Sequence, residues 1–309
     1  MKKAIVLTHR DYDGIFSGCI AEKWLRENNE YQSWDLIQYD YSDKDIPDYT
    51  EWPEKYDTLI MTDVSLPSEV AMRFLKEKMN EFIWCDHHIG SLKKAEEFGY
   101  GGNKGIFNID HAACENTWRY FFPDRDIPLI IRYIAAADIW DHVSFPWESE
   151  TTTIQLAMQA SYGLKYEKIS FSFEELLRLG KEDIEEQFIQ PGTLIKKYVD
   201  RRNMSAVKRY SFEVKVGSKF TAIAMLSTDF TSSIFDSVGK KYDLFVVANR
   251  VDSGKYKISL YGKEDSEILG DFSCADYLRE HYGGSGHARA AGCHVGQEVF
   301  NKLIVEREL

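Results

Sequence analysis

The chain has little positive charge and no long apolar run. Each of these two absences excludes a class of function. Its 309 residues include 38 Lys and Arg against 50 Asp and Glu, a net charge of −12. Proteins that wrap a nucleic-acid duplex rely on many cationic contacts to phosphates, so a long duplex is not an expected partner. Met1-Lys2-Lys3 leads directly into a short strand-like run, and no segment approaches membrane-spanning length. We expect a cytoplasmic protein without a membrane partner.

Cysteine is also scarce. The five cysteines are an odd number without paired short spacing, which argues against a disulfide framework and against a thiolate zinc site. We interpret most of them as buried small hydrophobic residues. Aromatic residues make up 14% and hydrophobic residues 44% of the chain, which supplies ample material for packed cores. Because 309 residues exceed one comfortable core, two domains are expected.

Short β-rich runs alternate with helix-like stretches through the first 150 residues. Such alternation predicts an α/β fold with a mainly parallel sheet covered by helices. The predicted strands are 3–8, 35–41, 58–62 and 81–85, and the predicted helices between them include 14–26 and 67–79.

A basic helix-like stretch separates this region from a second α/β pattern. The expected organisation is therefore a catalytic domain of residues 1–190, a helical linker of residues 191–210, and a smaller α/β domain of residues 211–309.

Three of the predicted strands are followed by residues of types that commonly bind metal ions. Ligands bind outside the carboxyl ends of parallel strands, so these side chains are expected to converge. Clustered carboxylates repel one another and resist burial unless a cation neutralises them. The candidates are His9, Asp11 and Asp13 after the first strand, Asp63 after the third, and Asp86, His87 and His88 after the fourth.

Asp138 adds a further candidate, with Asp141 and His142 as its local rivals. Carboxylate and imidazole ligands without thiolate favour a hard or borderline divalent ion, manganese first, with magnesium, cobalt or zinc as alternatives. Six ligands are too many for one ion that must also hold water and substrate. We therefore predict two ions about 3.5–4 Å apart that share one carboxylate, an arrangement suited to phosphate ester hydrolysis.

A glycine-rich segment near the C-terminus predicts a second contact with the substrate. Its glycines would let backbone N–H groups approach phosphate oxygens, while a histidine and an arginine can add charged hydrogen bonds. Alone, such a segment is more often a turn. Beside the metal-type motifs, we interpret it as binding the part of a nucleotide that is not cleaved, in a cleft between the domains. The residues are Gly283, Gly284, Ser285, Gly286, His287 and Arg289.

Together these motifs resemble those of the DHH phosphoesterase superfamily. The resemblance spans essentially the whole chain and implies a DHH domain followed by a DHHA1 domain. The compact arrangement is similar to nanoRNase-type phosphodiesterases and oligoribonuclease/pAp phosphatases, without the extra modules of RecJ exonucleases. The matching segments are His9-x-Asp11-x-Asp13-Gly14-x-x-Ser17, the isolated Asp63, Asp86-His87-His88, and 283–292, which resembles the GGGH signature of DHHA1.

The resemblance implies a role for each motif residue. His88 would contact the scissile phosphate or the leaving oxygen, and Asp86 would orient the neighbouring imidazoles. Asp63 would bridge two ions, of which one is also held by His9 and Asp11, and the other by Asp13, His87 and Asp138.

One strand departs from the family pattern. Many relatives carry Ser-Leu-Arg-Ser where this chain has Ser259-Leu260-Tyr261-Gly262. The change removes one arginine that could bind phosphate, with Lys263 or Arg250 as candidate substitutes. Substrate preference is therefore expected to differ from that of the average relative.

The leading functional hypothesis is a manganese-dependent phosphodiesterase that hydrolyses short oligonucleotides, linear dinucleotides above all, to mononucleotides. The alternatives within the family are a phosphatase for 3′-phosphoadenosine 5′-phosphate (pAp) and a cyclic-dinucleotide phosphodiesterase. A family II inorganic pyrophosphatase would share the first domain, but segment 283–292 argues against it. A catalytically inactive nucleotide-binding module is the alternative from another class, and it would be expected to have lost ligands. A homodimer is compatible with the family.

Overall fold

The computed structural model describes residues 1–41, 43, 45–97, 104–226, 234–235, 241–252, 254–263 and 266–309, without the side chains of Lys94, Asp252, Ser285 and His287. The chain divides into two compact units, Met1–Lys196 and Lys197–Leu309. The division falls inside a long helix, Gln190–Tyr210, which occupies nearly the residues predicted for the linker. Among the helices in these ranges, none has the length and apolar character required to span a bilayer.

A four-stranded parallel sheet forms the centre of the first unit, as predicted. Two of its strands have the predicted bounds, while the second begins at Tyr31 rather than at Asp35. That strand lies at the edge of the sheet and is half exposed, so its apolar pattern marks its limits poorly. The strands are β1 (Lys2–Thr8), β2 (Tyr31–Gln38), β3 (Thr58–Thr62) and β4 (Glu81–Cys85), in the order β2-β1-β3-β4.

Helices accompany this sheet throughout the first unit. Two π-helical turns, Trp147–Thr151 and Glu185–Ile189, precede the seventh and tenth helices. The helices are α1 (Tyr12–Glu27), α2 (Trp52–Lys55), α3 (Glu69–Lys78), α4 (Ile89–Glu97), α5 (Ala113–Phe121), α6 (Leu129–Asp138), α7 (Thr152–Ser161), α8 (Tyr166–Leu176), α9 (Lys181–Ile184) and α10 (Gln190–Tyr210).

Both faces of the sheet are buried. Ala4 and Val6 of β1 pack into a core with residues of α1 and α5, while Ile5 and Leu7 pack into a second core with residues of α3. Successive side chains of a strand point to opposite faces, so β1 contributes to both cores. A strand buried on both faces is typical of a parallel sheet covered by helices.

The register of the parallel strands sets the position of the candidate site. Thr8, the last residue of β1, pairs with Thr62, the last residue of β3. Thr62 pairs in turn with Cys85, the last residue of β4. The three strands therefore end at one level, and the residue that follows each of them begins at the same edge of the sheet.

The second unit is built on a six-stranded mixed sheet. Its strand order is β5-β6-β7-β8-β10-β9, with β6 and β7 parallel and the other neighbours antiparallel. This confirms the predicted second α/β pattern. The elements are β5 (Phe212–Val216), β6 (Phe220–Leu226), β7 (Leu244–Asp252), β8 (Lys255–Gly262), α11 (Cys274–Tyr282), β9 (Ser285–His287), β10 (Ala290–Gly296), α12 (Gln297–Asn301) and a π-helical turn, Lys302–Glu306.

The cysteines behave as their spacing predicts. All five are buried and carry free thiols. Burial raises the pKa of Cys85 to about 12, which keeps this thiol neutral at physiological pH. They contribute to the hydrophobic cores.

Candidate metal centre

Asp63 has the most unusual environment of the candidate residues. It follows β3 directly, is 1% exposed, and has a φ of 57°, a left-handed conformation that few non-glycine residues adopt. Its backbone N–H donates to the Cys85 carbonyl at 3.0 Å, which extends the strand pairing by one residue. Neither carboxylate oxygen has a hydrogen-bond partner.

A buried carboxylate without partners is unfavourable when it is ionised. Burial raises the pKa of Asp63 well above its usual range; the nearby His9 lowers it, but the charges of Asp11 and Asp138 raise it further. Two unpartnered oxygens in a polar, acidic environment match the requirements of a divalent cation. The donor set therefore fits the predicted metal chemistry.

Imidazole nitrogens approach Asp63 from two sides. His9 Nδ1 lies 3.6 Å from Asp63 Oδ2, and His87 Nε2 lies 3.4 Å from Asp63 Oδ1. His9 also pairs with Asp11 at 2.7 Å. Burial lowers the pKa of His9, but the hydrogen bond to Asp11 and the nearby Asp63 raise it overall to about 11. In the absence of an ion, the imidazole itself supplies the positive charge.

Two further carboxylates lie near the same nitrogen of His87. Its Nε2 lies 3.2 Å from Asp138 Oδ2 and 3.7 Å from Asp13 Oδ2. Burial, followed by the Asp63 charge, raises the pKa of Asp13 to about 8. Burial, followed by the Asp13 charge, raises the pKa of Asp138 to about 7. A bound cation would reverse these shifts because it favours the ionised carboxylates.

The ligating atoms form three overlapping groups, each within 4.8 Å. Asp63 belongs to two of them and His87 to two, so neighbouring ions would share ligands. The structure thus brings together all six predicted metal ligands, with His88 beside them. The groups are His9-Asp11-Asp63, Asp13-His87-Asp138 and Asp63-His87-His88.

Asp13 also caps a helix, which the sequence reasoning did not foresee. Its Oδ2 accepts a hydrogen bond from Ala113 N and its Oδ1 accepts one from Cys114 N, both at 2.8 Å. These two N–H groups open α5, whose N-cap residue Ala112 provides no side-chain cap. Asp13 is consequently held by donors from a distant part of the chain, and the positive end of the helix favours its ionised form.

The turn between β1 and α1 requires glycine at position 14. Asp11 is the N-cap of α1 and accepts a hydrogen bond from Gly14 N at 2.8 Å. A Cβ on residue 14 would lie 2.5 Å from the carbonyl oxygen of His9. Gly14 is thus a point of close backbone approach, and the contact fixes the turn that carries the first motif.

Asp86 organises the histidine pair. Its Oδ1 accepts hydrogen bonds from the backbone N–H groups of His87 and His88 and lies 2.8 Å from His88 Nδ1. Burial alone would raise the pKa of Asp86, but His88 lowers it overall. This geometry supports an orienting role for Asp86. His88 Nδ1 lies 3.7 Å from Asp63 Oδ1, so a further ligand role for His88 also fits the distances.

Asp138 and its rival Asp141 occupy different environments. Asp138 ends α6 beside His87. The Oδ1 of Asp141 accepts hydrogen bonds from the N–H groups of Val143 and Ser144, so this carboxylate caps a turn. The distances favour Asp138 as the ligand.

Two residues that contact the candidate ligands or their backbone were not predicted from the sequence. Asp40 Oδ2 lies 3.5 Å from His9 Nε2, and Asp40 comes two residues after the end of β2. The predicted strand 35–41 included Asp40, so the strand-end rule did not select it. Buried Asn116 donates through Nδ2 to the carbonyls of Asp86, Asn108 and His111. No sequence pattern marks Asn116, because its partners come from a loop.

The glycine-rich segment lies in the second unit, whereas the metal-type residues all lie in the first. Gly283 ends α11 with a φ of 65°, and Gly286 has a φ of 141° with no room for a Cβ beside the Ala290 carbonyl. Arg289 donates to the carbonyls of Phe272 and Gly270 at 2.8 and 3.1 Å. The side chains of Ser285 and His287 lie outside the described residues, so phosphate binding by this segment stays a prediction.

No family model matches the chain. An uncharacterized protein, R106 of Acanthamoeba polyphaga mimivirus, is 25% identical over 288 residues, which are 91% of this chain and 64% of that protein. The chain therefore spans slightly less than two thirds of the length of this relative.

Solved structures share the fold at low sequence identity. A DHH domain described as a member of the s1p family of ribosomal proteins has a TM-score of 0.60 at 14% identity, over 99% of this chain and 85% of that one. A pGpG-specific phosphodiesterase, PggH from Vibrio cholerae, has a TM-score of 0.55 at 12% identity, over 98% and 96%. RecJ with Mn2+ from Thermus thermophilus has a TM-score of 0.51 at 14% identity, over 100% and 53%.

These likenesses concern the fold. The chain has the fold of DHH-domain proteins, and the predicted resemblance to that superfamily is confirmed at this level.

Proposed function

We propose that the chain is a metal-dependent phosphodiesterase that hydrolyses short oligonucleotides, above all linear dinucleotides, to mononucleotides. The observation that carries the proposal is Asp63, a buried carboxylate with two unpartnered oxygens between His9 and His87. The fold is shared with a protein described as a pGpG-specific phosphodiesterase, which supports a substrate of this size.

Six residues would hold two divalent ions, manganese first and magnesium or cobalt as alternatives: His9, Asp11, Asp13, Asp63, His87 and Asp138. Bound there, the ions would supply a water of lowered pKa and neutralise the charge of the phosphate. Asp63 would help to hold both ions, since its carboxylate lies 3.6 Å from His9 Nδ1 and 3.4 Å from His87 Nε2.

The positions of the other side chains suggest distinct tasks. Asp13 is held in place by two α5 N–H groups, which limits its movement as a ligand. Asp86 engages Nδ1 of His88, so Nε2 is the ring nitrogen directed to other partners. From that nitrogen, His88 would hydrogen bond to a phosphate oxygen or protonate the leaving oxygen.

The charge of the chain also favours a small substrate. A net charge of −12 disfavours binding of a long duplex, which needs many cationic contacts to phosphates. A single phosphodiester bound by two metal cations would need few lysines and arginines. The predicted contact through His287 and the backbone at 283–286 would bind a second part of the same nucleotide.

The test is hydrolysis of a 5′-phosphorylated dinucleotide with manganese, with magnesium and with a chelator. We expect mononucleotides only with metal, and no product from Asp63→Asn. Parallel reactions with pAp and with a cyclic dinucleotide rank the alternatives by kcat/KM. Nucleotide binding without metal-dependent product from any of these substrates would instead establish an inactive binding module.

A further inference from the structure

The exposed residue Trp140 lies just beyond the candidate metal centre. Helix α6 ends at Asp138, and Trp140 follows two residues later with 66% of its surface exposed. Since consecutive Cα atoms are 3.8 Å apart, the Cα atoms of these two residues lie within about 7.6 Å of each other. The backbone that carries this exposed ring therefore lies close to that of a predicted metal ligand.

The backbone of Trp140 has a conformation that favours glycine. Its φ is 57°, and the Asp141 N–H donates to the Ala136 carbonyl at 2.9 Å, as in a Schellman helix end. A side chain at this position is strained, whereas glycine would adopt the same turn without strain. The Asp141 carboxylate, which caps the following turn, secures this backbone. Such strain is frequent at functional sites.

Two further rings support the indole. Trp147 lies 5.4 Å from Trp140 between ring centroids at an interplanar angle of 20°, and 4.1 Å from His142 at 13°. Trp140 and His142 are also nearly parallel, at 19° and 6.4 Å. The near-parallel rings restrain the orientation of Trp140, while its exposure leaves ring surface available to a ligand.

We propose that Trp140 is a stacking surface for a nucleobase of the substrate, with His142 and Trp147 holding its ring in position. The proposal rests on the proposed function for the identity of the ligand, since it places the base next to the scissile phosphodiester. A flat aromatic ligand matches an exposed indole, and base stacking on such rings tolerates any base. Asp138 would bind metal while Trp140, two residues away, binds the base.

The decisive variant is Trp140→Gly, which removes the ring and relieves the backbone strain. Glycine keeps the backbone conformation of this turn, and thermal unfolding of the variant separates reduced activity from unfolding. With a 5′-phosphorylated dinucleotide, we expect KM to rise about 5- to 150-fold with little change in kcat. Trp140→Phe should retain most of the affinity, and Val143→Gly, at a 94% exposed position of the same turn, should leave KM unchanged.

A substrate that lacks one base separates stacking from a general disturbance. Two dinucleotides with an abasic sugar at either position should be cleaved with a high KM by the natural chain. If Trp140 stacks on the missing base, Trp140→Gly should add nothing to that KM for one of them. Additive losses for both abasic substrates would overturn the proposal.

Binding of AMP, followed by quenching of tryptophan fluorescence, distinguishes this proposal from the proposed hydrolysis. We expect AMP to bind more tightly than ribose 5-phosphate does in a competition assay, and the difference to disappear in Trp140→Gly. That result without dinucleotide hydrolysis would refute the catalytic function alone. Normal hydrolysis with equal AMP binding by both chains would refute the stacking alone.

Discussion

The two regions predicted to contact the substrate satisfy their polar groups in opposite ways. At the sheet edge, the Asp63 oxygens are buried without partners, and the pKa values of Asp13 and Asp138 are raised. In the glycine-rich segment, Arg289 donates to carbonyls of its own unit. The first region could hold a cation, since its carboxylates are crowded and that of Asp63 lacks hydrogen bonds, whereas the contacts described for the second serve the fold. A residue of a predicted phosphate-binding motif can thus hydrogen bond to the protein's own carbonyl groups, as Arg289 does here.

The strongest test of the first region is Asp63→Asn. Asparagine keeps the shape and tolerates the left-handed backbone, but it cannot bridge two cations as a carboxylate does. Because changing a residue outside the ligand shell already costs about 10- to 100-fold, the loss of a shared ligand should reduce kcat/KM by more than about 100-fold.

The same variant should separate catalysis from stability. The metal-free protein should unfold at about the same temperature, because the raised pKa of Asp63 already favours its neutral form, which asparagine resembles. Added manganese, which should stabilise the natural chain, should have little effect. Thermal unfolding with and without metal measures both. Two bound ions and normal turnover would contradict the bridging role.

Asp86→Asn tests whether an orienting carboxylate acts through His88. We expect kcat to fall about 10- to 100-fold while metal-induced stabilisation is kept. Asp110→Asn, which changes an exposed acid in the following loop, is the matched control and should retain activity. A parallel loss of metal binding and activity would identify Asp86 as a structural support of the ligands.

The second region is tested by His287→Ala. If its imidazole binds a phosphate, one charged hydrogen bond is lost, and kcat/KM should fall by about 10-fold, mainly through KM. Manganese binding, followed by calorimetry, should not change. An unaltered kcat/KM would remove His287 from the substrate site.

The smallest effect is expected from Arg289→Ala, and it concerns stability. Losing the hydrogen bonds to the Phe272 and Gly270 carbonyls should lower the free energy of unfolding by about 1 kcal/mol. Urea unfolding measures this loss, and Arg289→Lys should recover part of it. A variant of unchanged stability with a raised KM would instead show that Arg289 contacts the substrate phosphate.

Most of the candidate site could be predicted from the residues that follow the strand ends. The bounds of β3 and β4 follow from their apolar runs, and the acidic and histidine residues come directly after them. Parallel order then brings them to one edge, which the pairing of Thr8, Thr62 and Cys85 confirms. The cap that Asp13 makes on α5 could not be predicted, because its two N–H partners lie about 100 residues away along the chain.

The sequence alone determined which candidate ligands this protein offers, since residue type and strand-end position select a set of carboxylates and imidazoles that could bind a divalent ion. Tertiary structure decided which hydrogen-bond partners these side chains have. Only folding places Asp63 in a left-handed turn without hydrogen bonds and directs Arg289 to carbonyls of its own unit. The same applies to the exposure of the Trp140 indole. The reason is physical: hydrogen-bond satisfaction and burial depend on groups far apart in the chain, and no local pattern records them.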